Sequence, residues 1–113
     1  MYKQGEILLI PIPFSDLTSH KKRPVLVLSK SGYNEKTNDI IVAAITSNIE
    51  TRDYTVSICN DDLEEGALKV DSIIRADKLY SLSQDIIIKR FGKVHDEIIK
   101  KLIEKIQLLL ADN

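Results

Sequence analysis

Arg75 and Asp77 stand two residues apart in SIIRADKLY, residues 72–80. In an extended strand that spacing puts both on one face, together with Ile73 and Leu79. Apolar neighbours imply partial burial, and a cation beside an anion there is either a structural ion pair or a preorganised acid and base. Ion-pair networks perturb pKa values as readily as active sites do, so the residues alone leave both open. A second cation, Arg23, ends the basic run of HKKRP (20–24), directly ahead of the apolar VLVLS. Pro24 biases Arg23 toward an extended backbone, which holds a planar fork of donors in a set direction and suits a phosphate or carboxylate. His20, Lys21 and Lys22 read either as a solvated loop that keeps a sheet edge from pairing or as a basic approach to an anion. Thr46 and Ser47 close the run IIVAAI (40–45). Hydroxyls at a strand end satisfy backbone groups, or donate to a phosphoryl oxygen where they face a cleft.

These groups need a scaffold. In the sequence, EILLIPI (6–12), PVLVLS (24–29), DIIVAAITS (39–47), YTVSIC (54–59), VDSIIRADKLYSL (70–82) and IIIKRFGKV (86–94) read as strands. PVLVLS is apolar without alternation, as in a strand buried on both faces. FSDLTSHKK (14–22), KSGYNEKTN (30–38), NIETRD (48–53) and NDDLEEGALK (60–69) read as polar connections. From Asp96 the period changes to 3.6, with Ile98, Ile99, Leu102, Ile103, Ile106, Leu109 and Leu110 on one helical face and Lys100, Lys101, Glu104 and Lys105 on the other. Val94 and Ile99 have the spacing of a hydrophobic staple, which makes His95 the N-cap and a weak one. The expected architecture is mainly β: a small, strongly bent sheet or half-open barrel of five to seven strands with a C-terminal amphipathic helix, one domain over 1–113.

Composition narrows the function. With 16 Lys and Arg against 17 Asp and Glu, the formal net charge is −1. Binding of nucleic acid therefore has to rest on a local patch. One cysteine, Cys59, excludes an internal disulfide, and two histidines, His20 and His95, give no zinc-ligand spacing. No metal or cofactor is expected. The N-terminus lacks the pattern of a signal peptide and no apolar run is long enough to cross a bilayer, so the expected location is the cytoplasm.

The order of short motifs is more specific than any one of them. Gly5-Glu6-Ile7, PFSDL (13–17), Lys22-Arg23-Pro24-Val25-Leu26-Val27, Ala44-Ile45-Thr46-Ser47, Asp71-Ser72-Ile73-Ile74-Arg75-Ala76-Asp77 and Phe91-Gly92-Lys93-Val94 ahead of a terminal helix together resemble the MazF/PemK (Kid) family of toxin endoribonucleases over roughly residues 4–110. The resemblance implies an SH3-like bent β-barrel of the CcdB/MazF type, a homodimer, a cognate antitoxin and metal-independent cleavage of single-stranded RNA. It also implies attack of a ribose 2′-hydroxyl on the adjacent phosphate, leaving 2′,3′-cyclic phosphate and 5′-hydroxyl ends. Arg23 and Thr46 match positions needed for cleavage in MazF-type members, and Arg75 and Asp77 match the Arg-x-Asp acid–base pair of Kid-type members. The resemblance tips that pair from a structural to a catalytic reading. His20, Lys21, Lys22 and Ser47 fall to substrate binding, although the loop histidine of Kid-type members stands several residues further upstream than His20.

The chemistry can be weighed separately. Intramolecular attack needs a base at the 2′-hydroxyl, a proton for the leaving oxygen and cations for charge building on phosphorus. Asp77 is the available base, but an adjacent Arg75 lowers its basicity unless desolvation restores it. Arginine hardly ever deprotonates, so Arg75 suits charge stabilisation better than proton donation. Two alternatives keep the fold and change the function. One is a catalytically silent module that binds RNA or an antitoxin; with no Trp, two Phe and four Tyr, the chain offers few stacking platforms for it. The other is a CcdB-like gyrase inhibitor, which acts through an aromatic C-terminal tail, whereas this chain ends LLLADN.

Overall fold

The computed structural model describes residues 1–11, 22–50 and 53–112. Seven strands form one sheet: β1 Glu6–Pro11, β2 Lys22–Val27, β3 Asp39–Thr46, β4 Thr55–Ile58, β5 Leu63–Gly66, β6 Ser72–Ser83 and β7 Lys89–Val94. Their order is β4-β6-β3-β2-β1-β7-β5, every pair antiparallel. Both faces carry a core, which is why PVLVLS has no polar alternation: Val25, Leu26 and Val27 are all buried in the central strand β2. One face packs Ile7, Leu26, Ala43, Ile45, Val56, Ile58 and Ile74 against the helix α2, Asp96–Leu110. The other gathers Leu8, Ile10, Val25, Val27, Ile40, Val42 and Leu82, with Tyr2, Tyr80, Ile86 and Ile87 packed against them. A sheet with a core on each side has curled into a half-barrel.

His95 is the N-cap of α2 and makes no side-chain capping bond, while Val94 and Ile99 are both buried in the helix-side core. The helix departs from its sequence pattern in its second half. Ile98, Ile99 and Leu102 are buried and Ile106 is partly buried, but Ile103, Leu109 and Leu110 are exposed, as is Leu108. The sheet supports only the first turns.

Two polar connections hold more structure than their sequence signals. Within 30–38 lies a six-residue helix, α1, Ser31–Lys36. Gly and Asn are weak helix formers, and this turn is held from outside. Asn34 is buried, its Nδ2 donates to the carbonyls of Tyr2 (3.0 Å) and Ser29 (3.1 Å), and its Oδ1 accepts from the Ser29 hydroxyl. Within 60–69, Leu63–Gly66 pairs with β7 as an edge strand. Gly66 stands opposite Gly92, so close that a Cβ on Gly92 would strike the Glu65 carbonyl and one on Gly66 the Phe91 carbonyl; Gly66 is also at φ +83. Only glycine at both places lets this strand dock.

Candidate functional site

The register of the sheet places a single cross-strand row, Thr55–Arg75–Ala44–Val25–Leu8–Arg90, from β4 to β7. Residues directly opposite one another share a face, so Arg75 projects on the side of Val25 and Leu8, away from α2. Two residues further on the same face come Ile10, opposite Arg23, and Thr46, opposite Ile73. The β2–β3 pairing ends at Val25 and Ala44, and Arg23 and Thr46 each stand two residues past that last pair, at the same end of the ladder. Arg23, Thr46 and Arg75 thus lie toward one end of one sheet face, at the margin of the apolar cluster that floors it.

Arg75 is fixed on both sides, because its backbone pairs with β3 and with β4. Its side chain is gripped by Asp77, Nε to Oδ1 at 2.9 Å and Nη2 to Oδ2 at 2.7 Å. The grip depends on a large bulge: Ala43 opposes Leu79 while Ala44 opposes Arg75, leaving Ala76, Asp77 and Lys78 with no partner on β3. The Ala76 amide donates to the Tyr54 carbonyl at 2.8 Å, and Tyr54 holds the left-handed region at φ 62. That conformation is uncommon outside glycine, and here it turns the chain into β4 to meet the bulge.

The bidentate pair sets the electrostatics. Arg75 beside it holds the Asp77 carboxyl below the ordinary aspartate value, chiefly through the hydrogen bond, and Asp77 raises Arg75 in turn. In this arrangement Asp77 is a poor base and a good clamp. Arg23 is exposed, and among the described residues no carboxylate pairs with it. The Thr46 hydroxyl is partly buried and accepts from the Asn48 amide at 3.1 Å. Its proton is left to donate elsewhere. Ser47 is exposed just past the strand end. Lys22 is exposed at the entrance of β2, and strand alternation points it away from the Arg23 face. His20 and Lys21 lie outside the described residues.

Because three residues intervene, the bulge also switches faces. By simple alternation Leu79 would accompany Arg75; instead Leu79 opposes Ala43, and Tyr80, opposite Val42, comes to the Arg75 face. Tyr80 was hidden from alternation for that reason. Nothing in the local sequence beyond the small Ala76 marks the break.

Elsewhere, Asp61, Glu64, His95, Asp96 and Glu97 line an open cleft of about 410 Å³ at the start of α2. Its carboxylates would repel a phosphodiester. Among the described residues no cluster of His, Cys, Asp and Glu is arranged to hold a metal ion, and no helix is long and apolar enough to cross a membrane.

The sequence model of the PemK-like, MazF-like toxins of type II toxin–antitoxin systems matches residues 3–110. The chain belongs to that family. No curated protein matches the sequence. Among solved structures, the fold is similar to MazE–MazF from Deinococcus radiodurans, with a TM-score of 0.78 at 21% identity over 96% of this chain and 95% of that one. An endoribonuclease in complex with its cognate antitoxin from a mycobacterial species matches with a TM-score of 0.74 at 16% identity over 100% of both chains. A Mycobacterium tuberculosis MazF toxin matches at 0.73 and 19% identity over 91% of this chain and 93% of that one. At these identities the likeness is one of fold: the curled antiparallel sheet with its C-terminal helix is the MazF-like architecture.

Proposed function

We infer that this MazF/PemK-family chain is an endoribonuclease that cuts single-stranded RNA without a metal ion. The observation that carries the reading is the convergence of Arg23, Thr46 and Arg75 on one end of one sheet face, with no carboxylate but Asp77 paired to either arginine among the described residues. That set suits a phosphodiester: two guanidinium forks for its charge and a hydroxyl for a non-bridging oxygen.

The proposed step is attack of the ribose 2′-oxygen on the adjacent phosphorus, with the bond to the 5′-oxygen breaking. A phosphate entering the site competes with Asp77 for the Arg75 fork. As it takes one edge of the guanidinium, the Asp77 carboxylate is released and regains basicity next to the 2′-hydroxyl, whose proton it accepts. The leaving 5′-oxygen is protonated from solvent, and the products carry a 2′,3′-cyclic phosphate and a 5′-hydroxyl. Arg23 and Arg75 hold the charge that grows on the phosphoryl oxygens; such preorganised donors contribute on the order of 10²–10³ in rate each.

The same cations suit an acidic, disordered segment of a cognate antitoxin, whose binding would weaken with salt. A second copy of the chain would cover the exposed Ile103, Leu108, Leu109 and Leu110 of α2. Incubation with mixed-sequence RNA in EDTA, followed by mapping of the ends, tests the reading. Fragments with cyclic phosphate ends that vanish with Arg23→Ala support it; intact RNA, or cleavage only with added metal, contradicts it.

A further inference from the structure

Tyr80 is the aromatic residue that the β6 bulge delivers to the Arg75 face of the sheet, one row from Arg75 on the side away from Thr46. It opposes Val42, while Arg75 opposes Ala44, so the two side chains lie on one face with a single two-residue step of β3 between them. That step is about 7 Å, comparable to the reach from a phosphate to its own base. The Tyr80 ring packs against the apolar cluster of Leu8, Val25, Val27, Val42 and Leu82, yet it remains partly exposed. An amphipathic ring at the border between an apolar floor and the Arg75 cation matches a nucleotide, which joins an apolar base to an anionic phosphate.

We propose that Tyr80 is the stacking platform for a base next to the scissile phosphate, held between the apolar floor and Arg75. The inference rests on the endoribonuclease reading and adds the group that seats the nucleoside. Stacking on a π-face tolerates any base, so Tyr80 supplies affinity and register on the strand more than sequence choice. The aromatic-poor composition then ceases to be an objection, because one well-placed ring suffices for one nucleotide.

The test uses the full chain and a single-stranded RNA carrying a site mapped from the mixed pool, in EDTA. Tyr80→Leu keeps the contact with the floor and removes the π-face; KM should rise about 10-fold to 100-fold with a much smaller change in kcat. The conservative Tyr80→Phe should restore KM. On the RNA side, an abasic nucleotide at the stacked position should weaken the parent as much as Tyr80→Leu does, and should cost the Tyr80→Leu protein nothing more. Thermal unfolding of both variants shows that the fold is kept. Cleavage by the parent together with an unchanged KM for Tyr80→Leu overturns the inference alone. Loss of kcat in Tyr80→Phe with KM intact also overturns it, since the phenol would then serve the chemistry. A parent that cuts no RNA overturns both this inference and the endoribonuclease reading.

Discussion

Arg75 and Arg90 sit near opposite ends of the same cross-strand row, and they are held in opposite ways. Arg90, on β7, reaches Glu6 on β1 and Glu65 on β5. Two carboxylates from two other strands meet one cation, and the three strands are tied together. Arg75 is gripped by one carboxylate two residues away on its own strand, and Arg23 shares its face. One end of the row is therefore closed and carries no surplus positive charge; the other is aimed and keeps one. An arginine held by groups distant in sequence staples the fold. An arginine held by its own near neighbour costs the fold little to release, and is free to exchange that neighbour for a ligand.

The widest separation of the two should appear in paired alanine variants. Arg75→Ala is expected to lower RNA cleavage by about 10²–10³-fold, while its unfolding free energy stays within about 1 kcal/mol of the parent. Arg90→Ala should do the reverse: the buried Glu6 loses its cation, at about 2 kcal/mol of stability, and cleavage measured well below the melting temperature should stay within about threefold. A folded Arg90→Ala protein that cannot cut RNA would erase the distinction.

A smaller effect separates clamp from charge. Asp77→Asn should cost activity about 10²-fold and change stability by less than about 1 kcal/mol. The pH dependence has a fixed sign. Because Arg75 lowers the folded-state pKa of Asp77 from the ordinary 3.8, its contribution to stability is full above that value. It is lost as pH falls through the lower folded value. Denaturant unfolding of parent and Asp77→Asn should therefore converge in strong acid and differ at neutral pH; equal curves at neutral pH would mean that the pair adds nothing. The smallest contrast concerns the basic entrance. Lys22→Ala should weaken binding of a 2′-O-methyl RNA less than Arg23→Ala, since the two point to opposite faces of β2, and the salt dependence of the affinity should follow the same order.

Much of this was legible in the residues. Val94, His95 and Ile99 mark the start of α2, and the run PVLVLS announces a doubly covered strand. The proposed site residues Arg23, Thr46 and Arg75 rest on residue type and the order of motifs, and the register sets them on one sheet face. What escaped depends on contacts that a linear pattern does not carry. The helix Ser31–Lys36 exists because Asn34 finds partners on Tyr2 and Ser29, not because its residues favour a helix. The strand Leu63–Gly66 depends on a glycine facing another glycine on β7. The bulge at Ala76–Lys78 reverses the alternation on which any reading of β6 relies, and so exchanges Leu79 for Tyr80 beside Arg75. The exposed end of α2 shows the converse: periodicity fixes which residues line one face, while the extent of the sheet beneath decides how many are covered.

The central claim is that Arg75 and Arg23 meet the phosphodiester while Arg90 does not. Guanidinium Nε resonances of the three arginines, followed by NMR as a 2′-O-methyl RNA that cannot be cut is added, address it directly. Resonances of Arg23 and Arg75 should shift with the same saturation curve, and that of Arg90 should stay in place. Movement of Arg90 alone, with Arg23 and Arg75 unperturbed at saturation, would contradict the account.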